Sequence, residues 1–137
     1  YMNNDACVAQ VLEAARELVA AFARTDTEAY FAAFSEDASF IFHTWPVPLL
    51  SRAAYREVWE GWLRDDGFEV LDCLSSNTFV SLQSEDVAVF CHDVATRLRI
   101  QGEESLNHER ETIVFRRDPQ QGRWLATHEH LSPSPTP

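Results

Sequence analysis

From residue 5 to residue 24 the apolar positions Val8, Val11, Leu12, Ala15, Leu18, Val19 and Phe22 return at steps of three and four. That is one stripe of a long amphipathic helix. Asp5 is placed to cap its first amides, and Thr25-Asp26 marks its end. Thr25-x-x-Glu28 has the spacing of a capping box and predicts a short second helix through Tyr30, Phe31 and Phe34. The segment DASFIFHTW is rich in strand formers and runs into Pro46 and Pro48, whose missing amides stop a ladder, so it reads as one strand followed by a loop. Ser51 caps a third helix in which Tyr55, Val58, Trp59, Trp62 and Leu63 keep helical spacing until Asp65-Asp66-Gly67.

Beyond Gly67 the period changes from helix to strand. FEVLDCLSSNTFVSLQ, DVAVFCHDVATRLRI, HERETIVFRR and RWLATHEHLS are β-like runs, separated by polar turns at Ser84-Glu85, at Gln101 to Glu104 and at Asp118 to Gly122. Four strands joined by short turns predict an antiparallel meander. The expected fold class is therefore α+β, with three N-terminal helices packed on one face of a strongly curved mixed or antiparallel sheet, the first helix acting as a lid over the concave side. A pocket is expected at the open end. Residues 1–132 are assigned to this single domain and residues 133–137, within SPSPTP, to a disordered proline-rich tail.

Bulk properties narrow the function classes. A chain of 137 residues with 45% hydrophobic residues can bury its own core. Its formal charge of -11 repels phosphate backbones and anionic lipid, which argues against nucleic-acid and membrane partners. Cys7, Cys73 and Cys91 are odd in number and widely spaced, so neither a disulfide framework nor a zinc ribbon is expected. With no apolar run of membrane-spanning length and no signal-like start, the expected location is cytoplasmic.

The C-terminal hairpin carries the most specific wording. Arg110, Thr112, Val114-Phe115, Arg116-Arg117, Gly122, Trp124, His128, His130 and Ser132 together resemble the nuclear transport factor 2-like superfamily. Within it, the likeness is to SnoaL-like proteins and to the association domain of calcium/calmodulin-dependent protein kinase II. The resemblance implies a cystatin-like cone. The superfamily includes ketosteroid isomerases, dehydratases and polyketide cyclases, beside members whose pocket has no known substrate.

Strand alternation puts His128, His130 and Ser132 on one face with Trp124 and Ala126, and Glu129 on the other. Two histidines lack the third ligand that a mononuclear metal site needs, so no metal or other cofactor is expected. His128 and His130 are instead candidate catalytic residues on a pocket wall. His92, if it points inward, joins them as a proton carrier. Arg110 shares a face with Thr112 and either brings a cation into the pocket or pairs with an acid at the surface. The likeness to the kinase association domain, which has pocket arginines, favours the pocket. Tyr30, Phe42, Trp45 and Trp59 are candidate ligand-binding aromatics, with Trp45 at the mouth. Tyr30 and Tyr55 are possible oxyanion donors, and Asp37, Asp72 or Asp93 possible bases, in no spacing that matches the isomerases.

Two readings follow. One is a homodimeric pocket or association module that binds a small hydrophobic or carboxylate-bearing molecule without transforming it. The other is a cofactor-independent isomerase, dehydratase or cyclase of the ketosteroid-isomerase-like type.

Overall fold

The computed structural model describes residues 3–135. The first helix, α1 (Asn4–Ala23), buries Cys7, Val11, Ala15 and Leu18, spaced four, four and three apart along one face. Its cap is Asn3, whose side chain accepts from the Ala6 amide, and not Asp5, which lies inside the first turn. The expected capping box is also absent. Asp26 caps α2 (Thr27–Ala32) by accepting from the Ala29 amide. Thr25 instead turns the chain at φ 53° and clips α1 to the sheet, its hydroxyl donating to the Val70 carbonyl and accepting from the Val70 amide. Ser51 caps α3 (Arg52–Asp65) as its sequence position predicts.

Five strands form one mixed sheet. They are β1 (Phe34–Phe42), β2 (Glu69–Leu82), β3 (Val87–Ile100), β4 (Glu103–Asp118) and β5 (Arg123–Pro133), in the spatial order β1-β5-β4-β3-β2. The last four strands make the expected meander, and β1 adds parallel to β5. β4 begins five residues earlier than HERETIVFRR suggests. Gln101 and Gly102, both at positive φ, close a two-residue hairpin and carry β3 directly into Glu103. β5 passes the boundary at residue 132, and the Ser134 amide donates to the His108 carbonyl. The last two tail residues lie outside the described ones.

Helices cover one face of this sheet, and the core lies between them. Tyr30, Phe31, Phe34, Phe40, Tyr55 and Trp59 form its aromatic centre, mostly in the edge-to-face and tilted arrangements that ring quadrupoles favour. No described helix is long and apolar enough to cross a membrane.

A carboxyl pair on the floor of an apolar cavity

Between α1, α3 and the concave sheet face lies a cavity of about 340 Å³. Its apolar wall includes Leu18, Phe22, Phe42, Trp62 and Phe68. Its polar residues come largely from adjacent strands: His92 from β3, Glu109 and Glu111 from β4, and Glu129 from β5. No lysine or arginine lines it.

The inward glutamates overturn part of the sequence reading. Ile113 and Phe115 are buried, so strand alternation carries Glu111 and Glu109 inward and turns Arg110 and Thr112 to the outer face. Arg110 pairs there with Asp93 at 3.2 Å, across the β3–β4 ladder. On β5 the alternation is broken. Ala126 pairs with Phe115 and His128 with Val114, which leaves Thr127 as an extra residue, a β-bulge. Trp124 and Ala126 face inward as expected, but past the bulge it is Glu129 that enters the cavity, at 1% exposure. His128 and His130 are displaced to the outer face, where Ser39 Oγ lies 2.8 Å from His128 Nδ1 and His130 is exposed. Burial, followed by the charge of His130, lowers the pKa of His128. Neither histidine lines the cavity.

Other expected site residues divide. His92, Tyr30 and Phe42 line the cavity. Trp59 does not, because it is fully buried in the core and its Nε1 donates to Thr27 Oγ1. Trp45 is also outside the lining and packs edge-on against Trp62, which is part of the wall. The three aspartates considered as bases are all held in surface ion pairs, Asp37 with Arg116, Asp72 with Arg97 and Asp93 with Arg110. Hydrogen bonds from Arg116 to Asp37, and from Asn77 and Arg110 to Asp93, hold those two carboxyls below their ordinary pKa.

The floor has a definite proton arrangement. Burial, reinforced by the neighbouring Glu111 charge and a hydrogen bond to Glu111, pushes the Glu129 carboxyl well above the ordinary carboxylate range. Glu129 is therefore the member of the pair that its surroundings push toward the protonated form, with Glu111 as its hydrogen-bond partner. Its Oε1 atom is buried without a hydrogen-bond partner among the described residues. On its other side Glu111 is held by His92, with Nε2 2.8 Å from Glu111 Oε1. His92 Nδ1 lies 2.6 Å from Ser75 Oγ. With Glu111 as the acceptor, Nε2 carries a proton toward it, while the serine hydroxyl stands at hydrogen-bond distance from Nδ1 and can either donate or accept there.

Tyr30 and Tyr55, from α2 and α3, meet at 3.0 Å between hydroxyls in the same cavity. Burial raises both phenol pKa values, and the nearby Glu129, once it ionises, adds to the effect on each. Only one of the two protons is used between them, so the accepting tyrosine keeps its own for a further partner. At the rim, His43 Nε2 lies 2.6 Å from Glu109 Oε2. Among the described residues no cluster of three or more histidine, cysteine, aspartate or glutamate side chains has the arrangement of a metal site.

Comparison with known proteins agrees with this architecture. The family model described as SnoaL-like domain matches residues 11–137. No curated protein matches the chain. Among solved structures, a nuclear transport factor 2-like protein from Rhodospirillum rubrum, of unknown function in nutrient uptake, is similar at 21% identity and a TM-score of 0.79, over 91% of this chain and 98% of its own. A ketosteroid isomerase-like protein from Erwinia carotovora atroseptica is similar at 20% identity and 0.79, over 98% and 100%. A candidate scytalone dehydratase from Novosphingobium aromaticivorans reaches a TM-score of 0.81 at 17% identity, over 96% and 87%. At these identities the likeness speaks for the fold alone.

Proposed function

The chain belongs to the SnoaL-like domain family, and from that premise we propose that it is a cofactor-independent acid–base catalyst, an isomerase or dehydratase, of a small, neutral, apolar carbonyl compound. The observation that carries this reading is the buried carboxyl pair, Glu129 pushed toward its protonated form by burial and Glu111 hydrogen-bonded beside it, on the floor of an apolar cavity with a tyrosine pair that has a hydroxyl proton to spare. Two carboxyls held in opposite protonation states supply an acid and a base at one pH. The free tyrosine proton is suited to a substrate oxygen on which negative charge develops. The ionised member of the pair takes a proton from the neighbouring carbon, and the pair returns one where the product requires it. His92 orients Glu111 and stabilises its charge.

A carboxylate-bearing ligand fits less well, because Arg110 points away and three glutamates already line the cavity. A pure binding module leaves the carboxyl pair without a use, since keeping ionisable groups inside an apolar site is costly. The ketosteroid isomerase-like and dehydratase-like neighbours lend the catalytic reading further support. The unpaired thiols Cys7, Cys73 and Cys91 suit work in the reducing cytoplasm.

The test uses a panel of neutral aromatic and alicyclic ketones in heavy water, with proton exchange beside the carbonyl followed by NMR. Wild-type protein should accelerate exchange of at least one ketone. Glu111→Gln, which keeps shape and removes the base, should lose that acceleration on the order of a hundredfold or more, with its circular dichroism unchanged. Ligands that bind without any exchange would return the protein to the binding-module reading.

A further inference from the structure

A carboxyl pair that takes one proton and returns another closes its cycle without solvent, but the resting protonation of the pair is set by its exchange with water. The mouth of the cavity is one route for that exchange. We propose that Ser75, His92 and Glu111 form a second route, a proton wire that runs from the cavity floor along the inner face of the sheet and opens at its β2 edge. The inference rests on the acid–base reading above for its purpose, though not for its geometry.

Four observations carry it. His92 has a side chain with 0% exposure, so water does not reach the ring directly. Its two nitrogens are nevertheless both engaged, at 2.6 Å to Ser75 and 2.8 Å to Glu111, within the reach of proton transfer. Ser75 is exposed, lies on the edge strand and is absent from the cavity lining, so its contact with solvent is separate from the mouth. The inner end of the chain is Glu111, which shares a hydrogen bond with Glu129. The rim contact between His43 and Glu109 makes no hydrogen bond to Ser75, His92 or Glu111 among the described residues.

The proton balance is closed. A proton from water at the exposed hydroxyl enters through Ser75, whose own proton forms a bond to His92 Nδ1. The Nε2–H bond of the resulting imidazolium breaks, and its proton goes to the Glu111 carboxylate. The ring is left as the Nδ1–H tautomer, and the outward passage reverses each step. The wire therefore equilibrates the carboxyl pair with solvent one proton at a time, and does not pump.

The test reads the ring proton itself in the intact protein labelled with 15N-histidine. The His92 signal is assigned by its loss in His92→Gln, and its exchange with water is measured by NMR. In Ser75→Val the exchange should slow on the order of a hundredfold, the low end of what a positioned proton carrier contributes. Ser75→Thr restores the hydroxyl and should restore the rate. Both replacements favour a strand and sit at an exposed edge, so the fold is kept. Exchange that is unchanged in Ser75→Val, or not rescued in Ser75→Thr, overturns the wire. The readout needs no turnover, so this failure leaves the acid–base reading standing, and an inactive ketone panel leaves the exchange result standing.

Discussion

At the scale of single residues, Glu129 is the group whose environment most changes its chemistry. Its pKa is raised in the folded chain by burial and by Glu111, while in the unfolded chain it returns to about the ordinary 4.5. The folded state thus holds the extra proton between these two values, and the stability this group contributes is fully present below the unfolded pKa and is lost as pH rises toward the folded one. Glu129→Gln cannot ionise. Urea titrations between pH 5 and 8 should therefore show wild-type stability falling relative to the variant, by up to about 1.4 kcal/mol per pH unit. Parallel curves for the two proteins would mean that Glu129 is ionised in the folded chain. His92 differs from its neighbours in having been legible: its alternation with Val94 and Thr96 on β3 places all three in the cavity wall.

Among the elements, regular periods read well and interruptions did not. The stripe of α1, the Ser51 cap and the meander all follow from spacing that continues unbroken. Glu109 and Glu111 were also readable, because extending the alternation backward from Ile113 and Phe115 puts them inside; the attraction of a pocket arginine pointed the other way. Glu129 was not readable. The bulge at Thr127 is created by how β5 fits against β1 and β4 together, and nothing local in ATHEH marks it. Thr25 is another long-range feature, with a hydroxyl that serves a backbone 45 residues away. Thr25→Val removes both bonds and leaves the Val70 amide and carbonyl to find water. Loss of about 1–3 kcal/mol of unfolding free energy is expected, measured by chemical denaturation. A change within a few tenths would show that α1 is held to β2 by packing alone.

For the whole molecule, the helices occupy one sheet face and leave the other open. Leu74, Phe79 and Leu106 are 69%, 59% and 48% exposed, and their ladder partners Ala95, Cys91 and Arg97 alternate with the inward His92, Val94 and Thr96. We propose that a second copy of the chain covers this face, since large apolar side chains exposed on an uncovered sheet face favour association. Sedimentation should give a dimer at micromolar concentration, and the double variant Leu74→Glu, Leu106→Glu should give a monomer with an unchanged cavity; a wild-type monomer would remove the proposal. The bulge has a consequence at this scale too. Which side chains meet a ligand and which meet the outer surface depends on whether the count of residues along β5 is odd or even. One residue at position 127 separates a cavity with an acidic floor from one with two imidazoles, with every other letter of the strand the same. A relative that lacked the bulge would carry the residues matching Glu129 and His130 on the opposite faces of the sheet from those they occupy here.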